Sequence, residues 1–139
     1  MTTSSRANIA ALPRGHRFPA ATFRISPDGV GRYLDAVQDR SAAYGDAAPP
    51  LAIAALALRA LLERLELPAG SLHAAQEVEC RAAAPLDAEL TMRGEVAQRS
   101  ERGGFVASVI EFEVAPADSL GEPVLVGRTT VMAPRPAEG

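Results

Sequence analysis

From Leu72 onward, apolar and polar residues alternate with a period of two in four successive segments. In Leu72 to Arg81, one phase holds Leu72, Ala74, Val78 and Cys80, and the other holds His73, Glu77, Glu79 and Arg81. In the second segment Leu90, Met92 and Val96 stand against Glu89, Arg93 and Glu95. Arg102-Gly103-Gly104 reads as a turn, after which Val106, Ile110, Phe112 and Val114 alternate with Glu111 and Glu113. A further turn over Ala117 to Pro123 leads into a last strand, Val124 to Met132. Alternation of this kind predicts strands with one dry face and one wet face, here arranged as an antiparallel meander.

Upstream the pattern changes. Ala21 to Ile25 is the predicted first strand. Ser26-Pro27-Asp28 then reads as a helix start, with a capping hydroxyl, a proline at the first helical position and an acid at the positive end of the dipole. Val30, Tyr33, Leu34 and Val37 follow on one helical face, although Gly29 and Gly31 weaken its beginning. Ser41 to Ala48 reads as a loop. Pro49-Pro50 opens a second helix, about Leu51 to Leu65, whose first ten residues are nearly all apolar on every side. A helix of that kind is enclosed by other elements. Pro68-Ala69-Gly70 ends it. Residues 1–17 read as a flexible arm, 18–134 as one domain and 135–139 as a tail. The expected fold class is α+β, an antiparallel sheet wrapped round a central apolar helix.

Composition narrows the function classes. The 139 residues suit one core. The net charge of −3, with no basic stripe, gives no electrostatic basis for a nucleic-acid partner. High Ala and Arg without Lys suggests a high-GC bacterial genome. The single cysteine, Cys80, can form neither an internal disulfide nor a zinc-ligating set, so no metal is expected and a cytoplasmic setting fits. Its phase places it in the core. Met1 to Ala11 lacks the apolar stretch of a signal peptide. Leu51 to Leu62, interrupted by Arg59 and ended by Glu63 and Arg64, is too short to cross a bilayer, so no membrane partner is expected.

Three stretches carry a resemblance. Asp39-Arg40-Ser41-Ala42-Ala43-Tyr44-Gly45-Asp46 is similar to the loop pattern D-x-N-P-x-H-x-D, and Ala48-Pro49-Pro50 to a helix-opening A-P-P. Ser71-Leu72-His73-Ala74-Ala75-Gln76-Glu77-Val78-Glu79 is similar to a strand L-H-x-x-Q-x-[FVY], and Pro85-Leu86-Asp87 follows where P-[LV]-x-x-G-D often stands. In this order and spacing, over Phe18 to Pro134, the chain resembles the MaoC-like (R)-specific enoyl hydratase / 3-hydroxyacyl dehydratase family, in its dehydratase-like N-terminal branch. The resemblance implies a hot-dog fold, no cofactor, and an acyl thioester substrate carried on coenzyme A or an acyl carrier protein. It also implies a homodimer, or a heterodimer with a second hot-dog subunit.

In active members of that family the loop Asp and His exchange protons while water adds to, or leaves, the 2,3-double bond. Asp39 matches the Asp, but Tyr44 falls where the His stands, Ser41 replaces the Asn and Ala42 the Pro. A phenol with an ordinary pKa of about 10 donates a proton well and is a poor base near neutral pH. Taking Asp46 as the catalytic Asp does not help, because no His follows it within ten residues. The resemblance also assigns substrate contacts to Asp46, Pro50, Leu51 and Ala52. In the family the helix start polarises a thioester carbonyl, a role the N–H groups of Leu51 and Ala52 would fill here; alternatively Pro49-Pro50-Leu51 is simply a helix start.

His73 is the only histidine inside the predicted fold, and is read either as a replacement base or as a strand histidine bonded locally. Asp39 and Tyr44 are alternatively a solvated Asp and a loop-packing Tyr. Arg81, Arg93, Arg99 and Arg128 are candidates for carrier phosphates, or simply wet-face charges. Four functions stay open. The chain is a hydratase or dehydratase module, including the non-catalytic subunit of a heterodimer. Alternatively it is a thioesterase using Asp46 or Glu63, an acyl-binding module without chemistry, or a recruited cyclase or isomerase of a polyketide or fatty-acid pathway.

Overall fold

A computed structural model describes residues 7–24, 26, 50–84, 87–117 and 122–135. The helix expected after Ser26 and the loop carrying Asp39, Tyr44 and Asp46 lie outside the described residues. The described elements are β1 (Ala7–Asn8), a 3-10 turn (Ile9–Ala11), β2 (Ala21–Arg24), α1 (Pro50–Leu62), β3 (Leu65–Glu66), β4 (Leu72–Cys80), β5 (Glu89–Arg102), β6 (Phe105–Pro116) and β7 (Leu125–Pro134).

Five strands form one antiparallel sheet in the order β2-β5-β6-β7-β4. The expected meander therefore holds for β5, β6 and β7 only. The first of the four alternating segments, β4, does not pair with the next in sequence but crosses to the far edge and joins β7. Alternation marks which face of a strand is dry and says nothing of its neighbour. The β5–β6 turn forms at the two glycines, Gly103 and Gly104, with φ of 53° and 87°, a conformation that side chains resist.

The inner face of the sheet carries Leu90, Met92, Val96, Val106, Ile110, Val114, Leu125 and Val131, all buried. Against it pack Ala52, Ile53, Ala54, Ala57 and Leu61 of α1. Leu56, Leu58, Ala60 and Leu62 are only half-buried, so α1 is enclosed on its sheet side and open along two flanks. It ends three residues before the predicted Leu65, because Leu65 and Glu66 leave the helix to pair in parallel with Ala7 and Asn8, with Leu65 still buried in the core.

That pairing corrects the flexible-arm reading for its described part. Ile9 and Ala10 are fully buried and Leu12 nearly so. The Asn8 side chain accepts from the Ala10 N–H at 2.9 Å, and Arg99 donates to the Ala10 carbonyl at 3.0 Å. Residues 15–18 then run beside β5, where Gly15 and Phe18 donate to Val96 and Gly94 and His16 accepts from Val96. Three apolar residues without a period are enough to dock the segment once a long β5 offers a free edge beyond the short β2. At the opposite end Arg135 bridges Glu101 at 3.0 Å. Arg99 donates to the same carboxylate and, with Arg135, holds its pKa below the ordinary glutamate value.

Candidate functional site

β4 departs most from the sequence reading. Its register with β7 slips between His73 and Ala75, where one extra residue bulges out. Before the bulge, Leu72 opposes Met132 on the outer face and His73 opposes the buried Val131 on the inner face; after it, Gln76, Val78 and Cys80 face inward, opposite Thr129, Gly127 and Leu125. The single phase read through Leu72, Ala74, Val78 and Cys80 is thus corrected: the bulge exchanges the two faces midway. Cys80 is also corrected. It points to the inner side yet is exposed, because β4 is the edge strand and all nine of its residues are exposed.

The bulge aims His73 at Thr129. The Thr129 Oγ1 is fully buried and lies 2.6 Å from His73 Nε2 and 3.4 Å from the Ala75 carbonyl. Both tautomers satisfy this arrangement. With a proton on Nε2 the ring donates to the hydroxyl, which donates on to Ala75; without it the hydroxyl donates to the ring. Thr129 escaped the sequence reading, although a polar residue in the dry phase of an otherwise apolar strand marks such a partner. Around the pair, Leu58 and Leu62 of α1 with Leu67, Ser71, Leu72 and Val131 line a small apolar cleft of about 60 Å³. His73→Ala leaves Thr129 with only the long bond to Ala75. A loss of about 1–2 kcal/mol in a denaturant titration is expected, with a smaller loss for Thr129→Val. Equal stability of wild type and His73→Ala would show that the bond contributes nothing.

The other flank of α1 opens into a groove of about 740 Å³, floored by Phe18, Phe23, Leu56 and Ala60 and rimmed by His16, Arg59 and Arg64. Glu63, a thioesterase candidate, stands on this rim and bridges Arg59 one turn back at 3.5 Å. On the outer face a charged basin of about 920 Å³ spreads over β4, β7, β6 and β5. Of the four arginines considered for phosphates, Arg81 is bridged to Glu79, Arg99 to Glu101 and Arg128 to Glu111. Glu111, aided by Glu77, raises the Arg128 pKa. Arg93 alone of the four has no ion pair among the described residues. Among the described residues no three His, Cys, Asp or Glu side chains gather closely enough to hold a metal ion.

Of the site residues named from sequence, Asp39, Tyr44 and Asp46 lie outside the described residues. Pro50 is the first residue of α1 and Leu51 the second. Pro50 has no N–H to offer, so the free donors of the first turn begin at Leu51 and Ala52. The Ala52 side chain is buried in the core cluster, so a substrate contact there would be made through its backbone N–H. His73 lies on the far side of α1 from the groove that holds His16.

The arrangement has known counterparts. A MaoC-like dehydratase from Rhodospirillum rubrum superposes with a TM-score of 0.74 at 19% identity, covering 94% of this chain and 99% of that one. The fold is the hot-dog fold. An (R)-hydratase from A. caviae involved in PHA biosynthesis shares this hot-dog arrangement at TM-score 0.74 and 16% identity, covering 89% of this chain and 98% of that one. So does the HadBC (3R)-hydroxyacyl-ACP dehydratase complex from Mycobacterium tuberculosis, at 0.70 and 21%, covering 86% and 96%. No protein-family profile and no curated protein sequence matches the chain. No described helix is long and apolar enough to cross a membrane.

Proposed function

We propose that this chain is an acyl-thioester-binding hot-dog subunit of the hydratase/dehydratase type, working in the cytoplasm beside a second hot-dog subunit docked along β4. The observation that carries the reading is the bare β4. An inner face showing Gln76, Val78 and Cys80 to solvent is a core face lacking its cover, and an open strand edge is a pairing surface. Hot-dog neighbours that include both a hydratase and a two-chain dehydratase complex support that choice of cover.

In this reading the acyl thioester lies beside the first turn of α1. The Leu51 and Ala52 N–H groups, with the positive end of the helix dipole, draw charge onto the thioester oxygen. Water then adds its hydroxyl to C3 and a proton to C2, or leaves by the reverse path. Tyr44 donates the proton to C2 and Asp39 holds the attacking water, but no histidine of this chain stands ready as the base that takes the water's other proton. The second subunit supplies that base. Amide resonances give a direct test. Adding crotonyl-coenzyme A to labelled protein is expected to shift the Leu51 and Ala52 amides in a saturable way. Unmoved amides at millimolar ligand would remove the acyl site from this helix.

A further inference from the structure

The charges on β4 discriminate between partners. After the bulge its straight part runs from Ala75 to Cys80, with Ala75, Glu77 and Glu79 outward against Thr130, Arg128 and Val126. A second copy adding β4 to β4 antiparallel must obey two-fold symmetry and keep outer residues opposite outer residues. Two registers overlap the straight parts equally, and the one centred on Val78 sets Glu77 opposite Glu79 of the second copy, twice. A shift of one step toward the N-terminus sets Glu77 opposite its own copy. A shift the other way sets Glu79 opposite its own copy; it gains Glu77 against Arg81 but shortens the overlap. Like charges directly opposite each other on a sheet repel. Glu79 shares its charge with Arg81 at 3.2 Å, whereas Arg128, the cross-strand neighbour of Glu77, is turned to Glu111 at 2.7 Å, so Glu77 carries the less compensated charge of the two.

We propose that β4 is built to receive a different hot-dog chain, one whose edge strand presents Lys or Arg at alternate outward positions, rather than a second copy of itself. This rests on the reading that a hot-dog subunit docks along β4, and adds which kind. The acidic pair accepts such an edge in the same registers in which it repels its own copy. It acts as a like-charge filter, which is how strand and coiled-coil interfaces reject wrong partners.

Sedimentation of the full chain alone tests it, between about 0.01 M salt, where charges act across about 30 Å, and about 1 M, where their reach is about 3 Å. Wild type is expected to be monomeric at low salt and to gain self-association as salt rises. Glu79→Arg turns both like-charge contacts of the central register into Glu77–Arg contacts. It is expected to self-associate at low salt with a Kd about ten-fold or more below wild type, and to weaken with salt. Glu77→Arg creates the same pairs from the other side and serves if Glu79→Arg misfolds. A wild-type dimer that is insensitive to salt and abolished by Val78→Pro would overturn the charge filter while leaving β4 as the docking edge. A dimer untouched by Val78→Pro, or variants that stay monomeric in every salt, would overturn both.

Discussion

Purified alone, the chain is expected to hydrate crotonyl thioesters weakly or not at all. The reaction needs one group that accepts a proton and one that donates it, and a histidine near its pKa serves either role at neutral pH. The chain has two histidines. His16 stands in the docked N-terminal segment with its ring 5.0 Å from that of Phe18. His73 is held by Thr129. Neither follows Asp39 in the stretch that resembles the family's loop pattern, where the resemblance sets Tyr44 at the histidine's position. Each general acid–base group contributes roughly 10²–10⁴-fold, so loss of the base leaves a rate lower by about that factor. Loss of the conjugated enoyl absorbance measures it. Brisk hydration by the isolated chain, abolished by Asp39→Asn, would show that Tyr44 or another group acts as the base and that no second subunit is needed. Tyr44→His is the complementary variant, and a gain of activity in it would place the missing function at that position.

Gly127→Ala is expected to destabilise the domain by about 1–3 kcal/mol, the usual range for forcing atoms into a filled core. Gly127 opposes Phe112 across β6 and β7, and the buried Phe112 ring lies over it. A Cβ there would come within 2.7 Å of the ring's Cε1 and Cε2, with Cζ closer still. The ring is rigid and cannot fold away, so it must swing off the sheet and disturb its neighbours. A thermal melt is expected to fall by roughly 4–12 °C. Adding Phe112→Leu removes the collision, so the double variant should lose less than the two single losses combined. An unchanged melt for Gly127→Ala would mean that the ring has another place to go.

Much of this fold is legible in the sequence. The alternation through Leu90, Met92 and Val96 and through Val106, Ile110, Phe112 and Val114 fixes which residues face the core, and those residues are buried. Gly103-Gly104 marks its turn because the turn needs positive φ. The apolar run after Pro50 marks the helix because nothing else encloses so much apolar surface. Strand order is a different matter. Nothing in Leu72 to Cys80 says that its neighbour is β7, since pairing depends on a crossover and not on local pattern. The bulge after His73 is equally silent, and one extra residue there is enough to misplace Leu72 and His73 together. Ile9 and Ala10 look like arm residues because docking onto a distant edge leaves no period in the docked segment. Of the candidate site, the start of α1 and His73 are legible as positions; Thr129 becomes a partner of His73 only once β4 and β7 lie side by side.

The place of β4 in the sheet also sets an order of events during synthesis. β5, β6 and β7 follow one another through short connections, and each can pair as soon as the next is made. β4 leaves the ribosome before all three, yet its mate is the last of them. His73 and Thr129 are 56 residues apart. At about 5–20 residues per second the wait between them is roughly 3–11 s. Throughout that interval β4 has two unpaired edges instead of one, because it cannot close onto the sheet before β7 is made.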